Sequence, residues 1–310
     1  MISAVILLEF LLALAFPLGR VIIRVSQPIF VTGVRMLLGG IILLVYFYFR
    51  FPQQWREFIK LRYIGIWLLL AIFNIYLTNV LEFWGLQTLS AAKACFIYNL
   101  SPLFAAFYSY LFFGEHMTIK KWLGLLIGFV GFFPILLRST PSEELLGGIC
   151  FLSWAELALI GAAIATAFGW IMMRRSMRKE SYPLVLANGM SMLIGGLLAL
   201  LTSLLFEHWD PLPVTNYKFF FTYLLIFIFI SNLVSYNLYA FLLKYYTATF
   251  LSFAGFICPL FTAFIAWLFL DETVTWVFFL SSAFIFIGLY IFYQEELHLG
   301  YVINKNSESQ

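Results

Sequence analysis

About ten apolar stretches cross this chain from end to end, each long enough to traverse a bilayer. A hydrocarbon core of roughly 30 Å requires about 20 consecutive apolar residues per helix. Ile64–Leu86 meets that length without a single Lys or Arg. Inside hydrocarbon every backbone N–H and C=O must be paired within the protein, so isolated stretches of this kind become helices. With 63% hydrophobic against 11% charged residues, the 310-residue chain cannot cover a water-soluble domain of its size. The longest polar runs, Arg138–Gly148, Glu207–Lys218 and the tail after Gln294, are too short to enclose a core. The class that follows is an all-α membrane protein whose principal solvent is lipid.

The spans are expected at Ile2–Ile23, Ile29–Phe49, Ile64–Leu86, Ala91–Phe113, Lys121–Leu137, Ser153–Met173, Pro183–Phe206, Phe219–Leu243, Ala248–Leu270 and Val274–Tyr293. Twelve Lys and Arg residues fall in the loops of one side, including Arg50, Arg56, Lys60 and Arg62 after the second stretch and Arg174, Arg175, Arg178 and Lys179 after the sixth. The other side carries only Arg24, Arg138 and Lys218. Positive loops stay cytoplasmic, so both termini are expected in the cytoplasm, with the protein in a bacterial cytoplasmic (inner) membrane. An even number of crossings demands the same placement. The first stretch begins at Ile2 without a basic leader and reads as a retained helix. The net charge of +3 is spread over separate loops and gives no nucleic-acid footprint. Cys95, Cys150 and Cys258 lack metal-ligand spacing and are expected as thiols. His116, His208 and His298 sit in loops or the tail. No metal or cofactor is expected.

Shifting the chain by 157 positions lays Pro102-Leu103-Phe104 on Pro259-Leu260-Phe261 and carries Glu115, Thr118 and Gly131 onto Glu272, Thr275 and Gly288. Further upstream, Pro28 and Gly39-Gly40 meet Pro183 and Gly195-Gly196 at offsets of 155 and 156. Apolar coincidences are cheap in such a chain; a proline, a glutamate, a threonine and a glycine at one offset are not. Five spans per repeat is an odd number, so the second repeat is expected upside down relative to the first. Inverted repeats build alternating-access carriers, with cargo held near the midplane. The expected organisation is a first repeat at 1–137, a linker at 138–152, a second repeat at 153–294 and a tail at 295–310.

Those paired motifs, together with Ser101, Gly114, Trp122, Gly124 and the Pro28 and Arg35 pairing, resemble the drug/metabolite transporter superfamily, in particular ten-helix carriers of the EamA type. Asp271 stands where that pattern has glycine, and Leu12–Arg20 replaces a small-residue run of the first helix. The resemblance implies a carrier and a range of cargoes: amino acids, nucleotide-linked metabolites, S-adenosylmethionine or drugs.

Charges inside the spans are the sharper signal, because a central Asp, Lys or Arg costs about 2.5–3.5 kcal/mol on insertion scales. Six stand out: Glu9, Arg20, Arg35, Glu82, Lys93 and Glu156. Lys93 is expected to pair with Glu82 across their hairpin, Arg20 to snorkel outward, and Glu156 to be hydrated near the surface. Arg35 and Glu9 lie deeper and are the leading functional residues, followed by Glu82. Asn74, Thr78 and Glu82 form a polar ribbon at four-residue steps, answered by Ser231, Ser235 and Tyr239 in the eighth span. Phe16, Trp84, Tyr98 and Tyr236 offer rings for stacking or cation–π contact. The expected substrate-binding set is therefore Arg35, Glu9, Glu82, Asn74, Thr78, Ser235, Trp84 and Tyr98. Pro102 and Pro259 each free a backbone carbonyl and are expected hinges.

An arginine with buried carboxylates suits a cargo bearing both signs. The expected function is a secondary carrier, working by alternating access, for a small zwitterionic or cationic organic metabolite that is amino-acid-like, S-adenosylmethionine among them. Coupling to a proton or to a counter-substrate stays open. The rival readings are an efflux carrier for hydrophobic cationic drugs and an intramembrane lipid-modifying enzyme. The enzyme lacks support: no span holds a nucleophile with a base, and no metal-binding histidine cluster occurs. No phosphate-cradling loop implies ATP-driven pumping.

Overall fold

A computed structural model describes residues 2–115, 117–136, 148–149, 152–180, 182–270 and 276–299. They form α1 (Ile2–Ile22), α2 (Pro28–Arg50), α3 (Ile64–Leu86), α4 (Ala91–Phe113), α5 (Ile119–Leu136), α6 (Trp154–Glu180), α7 (Leu184–Phe206), α8 (Tyr217–Leu242), α9 (Ala248–Phe269) and α10 (Trp276–His298). Among the described residues eight helices, α1–α4 and α6–α9, are long and apolar enough to cross a membrane, and α10 contains a shorter apolar helix, Phe279–Glu295. The expected linker falls outside the described residues except at 148–149 and 152, where Gly148–Ile149 pairs antiparallel with Leu152–Ser153. Asp271, Glu272, Thr275, Arg138, Cys150, His116 and residues 300–310 of the tail also lie outside them.

Two helix pairs approach backbone to backbone through glycine, as the small residues at membrane helix crossings allow. Where α2 meets α7, a methyl on Gly40 would stand 2.6 Å from the Leu193 nitrogen, and one on Gly196 would stand 2.5 Å from that of Leu37. Where α5 meets α10, one on Gly124 would stand 2.8 Å from the Gly288 carbonyl oxygen. The first helix of each half lies against the other half: α1 packs on α8 and α9, and α6 packs on α3 and α4. The space between these exchanged helices is the centre of the molecule.

Four helices depart from regular α pitch beside that centre. In α3 the turn Ala71–Leu77 is π-helical, and the Thr78 hydroxyl donates to the Phe73 carbonyl at 2.7 Å. In α8 the turn Ile228–Ser235 is π-helical, and the Ser235 hydroxyl donates to the Ile230 carbonyl at 2.8 Å. α4 is interrupted at Asn99 and Leu100, just before Pro102, and α9 narrows to a 3-10 turn at Gly255–Ile257, just before Pro259. A fifth irregularity, in α1, shows how a freed group is satisfied. Pro17 has no N–H to offer the Ala13 carbonyl, and the Thr262 hydroxyl of α9 donates to that oxygen at 3.1 Å.

Two sequence expectations give way here. Lys93 binds Glu156 of α6 at 2.9 Å rather than relying on Glu82. Glu156 is buried, not merely hydrated: its other oxygen accepts from the Ser153 backbone N–H at 2.7 Å, while the Ser153 hydroxyl accepts from the Glu156 N–H at 3.2 Å. That reciprocal pair is a capping box at the start of α6. Arg20 is half-buried; its guanidinium donates to the Leu86 and Gln87 carbonyls, the latter at 2.7 Å, and so caps the end of α3. The common reason is that interhelical partners outcompete hydration where two helices already touch. At its other end α4 stops on Gly114, whose φ of 63° suits glycine, and Glu115 then binds Arg174 of α6 at 2.6 Å. α4 is thus clasped to α6 by a buried ion pair at each end.

Candidate substrate cavity

Helices α1–α4, α6, α8 and α9 wall a partly open cavity. Three acidic or basic side chains line it: Glu9 from α1, Arg35 from α2 and Glu82 from α3. All three are at least nine-tenths buried, at 1%, 2% and 7% exposure.

Arg35 is held by one hydrogen bond and two aromatic rings. One terminal nitrogen donates to the Asn79 side-chain carbonyl, and the guanidinium carbon lies 4.9 Å and 4.2 Å from the ring centres of Phe83 and Phe227. Asn79 in turn donates to the Ile75 carbonyl at 2.7 Å and to the Tyr236 hydroxyl at 3.1 Å. The Arg35 Nε is buried without a partner, leaving donor capacity for a carboxylate. Cation–π contact with two rings offsets part of the guanidinium's lost hydration. Glu9 differs: its Oε1 is buried and has no hydrogen-bond partner. Gly255 lies beside it; a methyl there would stand 3.6 Å from Glu9 Oε2 and 3.0 Å from Asn99 Oδ1.

The remaining wall is aromatic and hydroxyl-bearing. Trp170 stacks on Tyr239 at 4.1 Å and 24°, and the Tyr239 hydroxyl lies 3.3 Å from that of Ser252. Tyr98 meets Phe16 edge to face at 5.8 Å and shares the wall with Thr166. Cys95 and Cys258 are free thiols with their sulfurs 3.2 Å apart, and Cys258 lines the cavity.

Of the eight expected binding residues, Arg35, Glu9, Glu82, Ser235 and Tyr98 come together in this wall. Asn74, Thr78 and Trp84 do not. Trp84 stands on the outer face, 36% exposed, because two positions along a helix from Glu82 is about half a turn. Asn74 is wedged against Gly169 of α6, and Thr78 spends its hydroxyl on Phe73. The four-residue ribbon assumed regular pitch; the wide turn at Ala71–Leu77 breaks the register between Asn74 and the later residues, and beyond it Asn79 lines the cavity beside Glu82 at ordinary three-residue spacing. Sequence reasoning also missed Asn99, Thr166, Trp170 and Ser252. One usable signal existed: the 157 offset maps Asn79 onto Tyr236 and Glu82 onto Tyr239, all four of which line the cavity.

Comparison with known proteins agrees with this architecture. The S-adenosylmethionine/S-adenosylhomocysteine transporter of Chlamydia muridarum is 38% identical over 306 residues, covering 98% of this chain and 94% of the relative. The protein of the same description from Chlamydia trachomatis serovar L2 is 38% identical over 305 residues, covering 97% and 91%. A solved crystal structure superposes with a TM-score of 0.71 at 18% identity, over 95% of this chain and 96% of that one, which is a likeness of fold. The pattern of one transporter family matches residues 1–137 and again 153–294. This multi-pass membrane protein belongs to the EamA-like transporter family.

Proposed function

We propose that the protein carries S-adenosylmethionine and S-adenosylhomocysteine through the central cavity. It does so by alternating access between two inverted five-helix halves, in a bacterial cytoplasmic membrane with both termini in the cytoplasm. The observation that carries the reading is a single cavity holding both Arg35, with a donor to spare, and Glu9, a carboxylate without a partner. Both cargoes end in an amino acid, whose carboxylate fits the planar guanidinium of Arg35 and whose ammonium fits Glu82. Their adenine ring suits the shelf formed by Trp170, Tyr239 and Tyr98. The two relatives named above support the choice of cargo. A hydrophobic cationic drug has no carboxylate to engage Arg35, so the drug-efflux reading leaves the most expensive residue of the cavity idle.

Counterflow into proteoliposomes tests this. Vesicles preloaded with unlabelled S-adenosylhomocysteine should accumulate labelled S-adenosylmethionine transiently and unchanged. Methionine or a lipophilic cation inside should drive no such overshoot. Counterflow with those cargoes and none with the adenosyl compounds would contradict the proposal.

A further inference from the structure

The cavity contains a buried acid whose charge no neighbouring group matches. Gly255 lies against the Glu9 carboxylate, Tyr239 and Cys258 are near enough to sense its charge, and Tyr236, Ser231 and Ser235 from α8, Ser252 from α9, and Tyr98 and Asn99 from α4 share the cavity with it. None of these bears a positive charge. Arg35 shares the cavity but is committed to Asn79, Phe83 and Phe227, with Glu82 and Tyr236 nearby. A bare carboxylate buried in such a place costs several kcal/mol. It becomes tolerable when a cation from the cargo lies against it or when it takes up a proton.

The two cargoes proposed above differ in just this respect. S-adenosylmethionine carries a carboxylate, an ammonium and a sulfonium, net +1; S-adenosylhomocysteine lacks the sulfonium and is neutral. We propose that Glu9 is the charge-balancing site of the carrier, ionised beneath S-adenosylmethionine and protonated beneath S-adenosylhomocysteine. The inference rests on the adenosyl cargo reading. The cycle balances. When S-adenosylmethionine departs, Glu9 takes one proton from water in the open mouth, and S-adenosylhomocysteine binds above the neutral acid. On the opposite side that cargo leaves, Glu9 releases the proton to water, and S-adenosylmethionine binds again. One cation moves one way while a neutral molecule and a proton move the other, so no net charge crosses.

The test uses proteoliposomes of the full-length protein, loaded with S-adenosylhomocysteine and given labelled S-adenosylmethionine outside. An interior one pH unit more acid should raise the accumulation ratio about tenfold, and a diffusion potential should leave it unchanged. An exchange that ignores pH but responds to voltage, by up to about 50-fold per 100 mV for one charge, would overturn the inference while leaving the cargo reading intact. Absence of any exchange between the two compounds would instead sink the cargo reading. Exchange of S-adenosylmethionine for itself should ignore both gradients. In a second measurement, Glu9→Gln, which mimics the protonated acid, should shift the ratio of S-adenosylmethionine to S-adenosylhomocysteine homo-exchange toward the latter by roughly tenfold or more, the size of a charge-assisted contact. An unchanged ratio contradicts the proposal.

Discussion

The wide turn in α3 and the wide turn in α8 begin 157 positions apart, at Ala71 and Ile228, and each is followed by a hydroxyl bonded back five residues. The helix breaks before Pro102 and Pro259 repeat the correspondence in α4 and α9. Yet the side chains that these matched backbones present are unlike. Glu82 of the first half corresponds to Tyr239 of the second, and Asn79 to Tyr236, all four lining one cavity. Every charged group lining the cavity, Glu9, Arg35 and Glu82, comes from the first half; the second contributes hydroxyls, rings and a thiol. The matched halves thus share the places where the helix departs from regular pitch and differ in the side chains that those places carry to the cavity.

That contrast can be broken at several points. The largest effect is expected at the clasps that join the halves. Arg174→Met strands Glu115 as a buried charge and should cost about 3–5 kcal/mol, read as a lowered melting temperature in detergent; adding Glu115→Gln should recover most of it. Equal melting of the single and double variants would show that the pair is not a joint between halves. Next comes the first-half cation. Arg35→Ala should reduce kcat/KM for S-adenosylmethionine uptake roughly 10- to 100-fold, the worth of a hydrogen bond to a charged group. Ser191→Ala, 156 positions on at the glycine offset, should change uptake by less than about twofold. Equal losses would mean that charge is not what separates the halves. Smaller still, Thr78→Val and Ser235→Ala should each lower stability by about 1 kcal/mol. A tenfold difference between them in unfolding equilibrium would deny that the two wide turns are equivalent. The least effect is expected at Trp84→Ala, on the outer face, with uptake within about twofold of the unaltered protein.

Much of this was legible in the sequence, and the reasons are physical. Bilayer thickness imposes span length, so helices such as Ile64–Leu86 and Leu184–Phe206 announce themselves by composition. A charge inside hydrocarbon is costly enough to be conspicuous, which singled out Arg35, Glu9 and Glu82. What stayed hidden depends on packing between helices distant in sequence. Nothing local says that Lys93 will meet Glu156, or that Thr262 will supply the hydrogen bond that Pro17 withholds. Trp170 was indistinguishable from lipid-facing rings in a chain with 37 Phe, 17 Tyr and 9 Trp. Trp84 was drawn to the site for the opposite reason, being near Glu82 in sequence but half a helical turn away in space.

The central claim is that one cavity between the halves opens to each side of the membrane in turn. Ser235→Cys, placed in a protein whose own three cysteines are replaced by serine, tests it most directly with a membrane-impermeant maleimide applied from either side. Labelling from both sides, slowed from both by S-adenosylmethionine, is the predicted result. Labelling from one side only, or labelling from both that the cargo does not slow, would contradict the account.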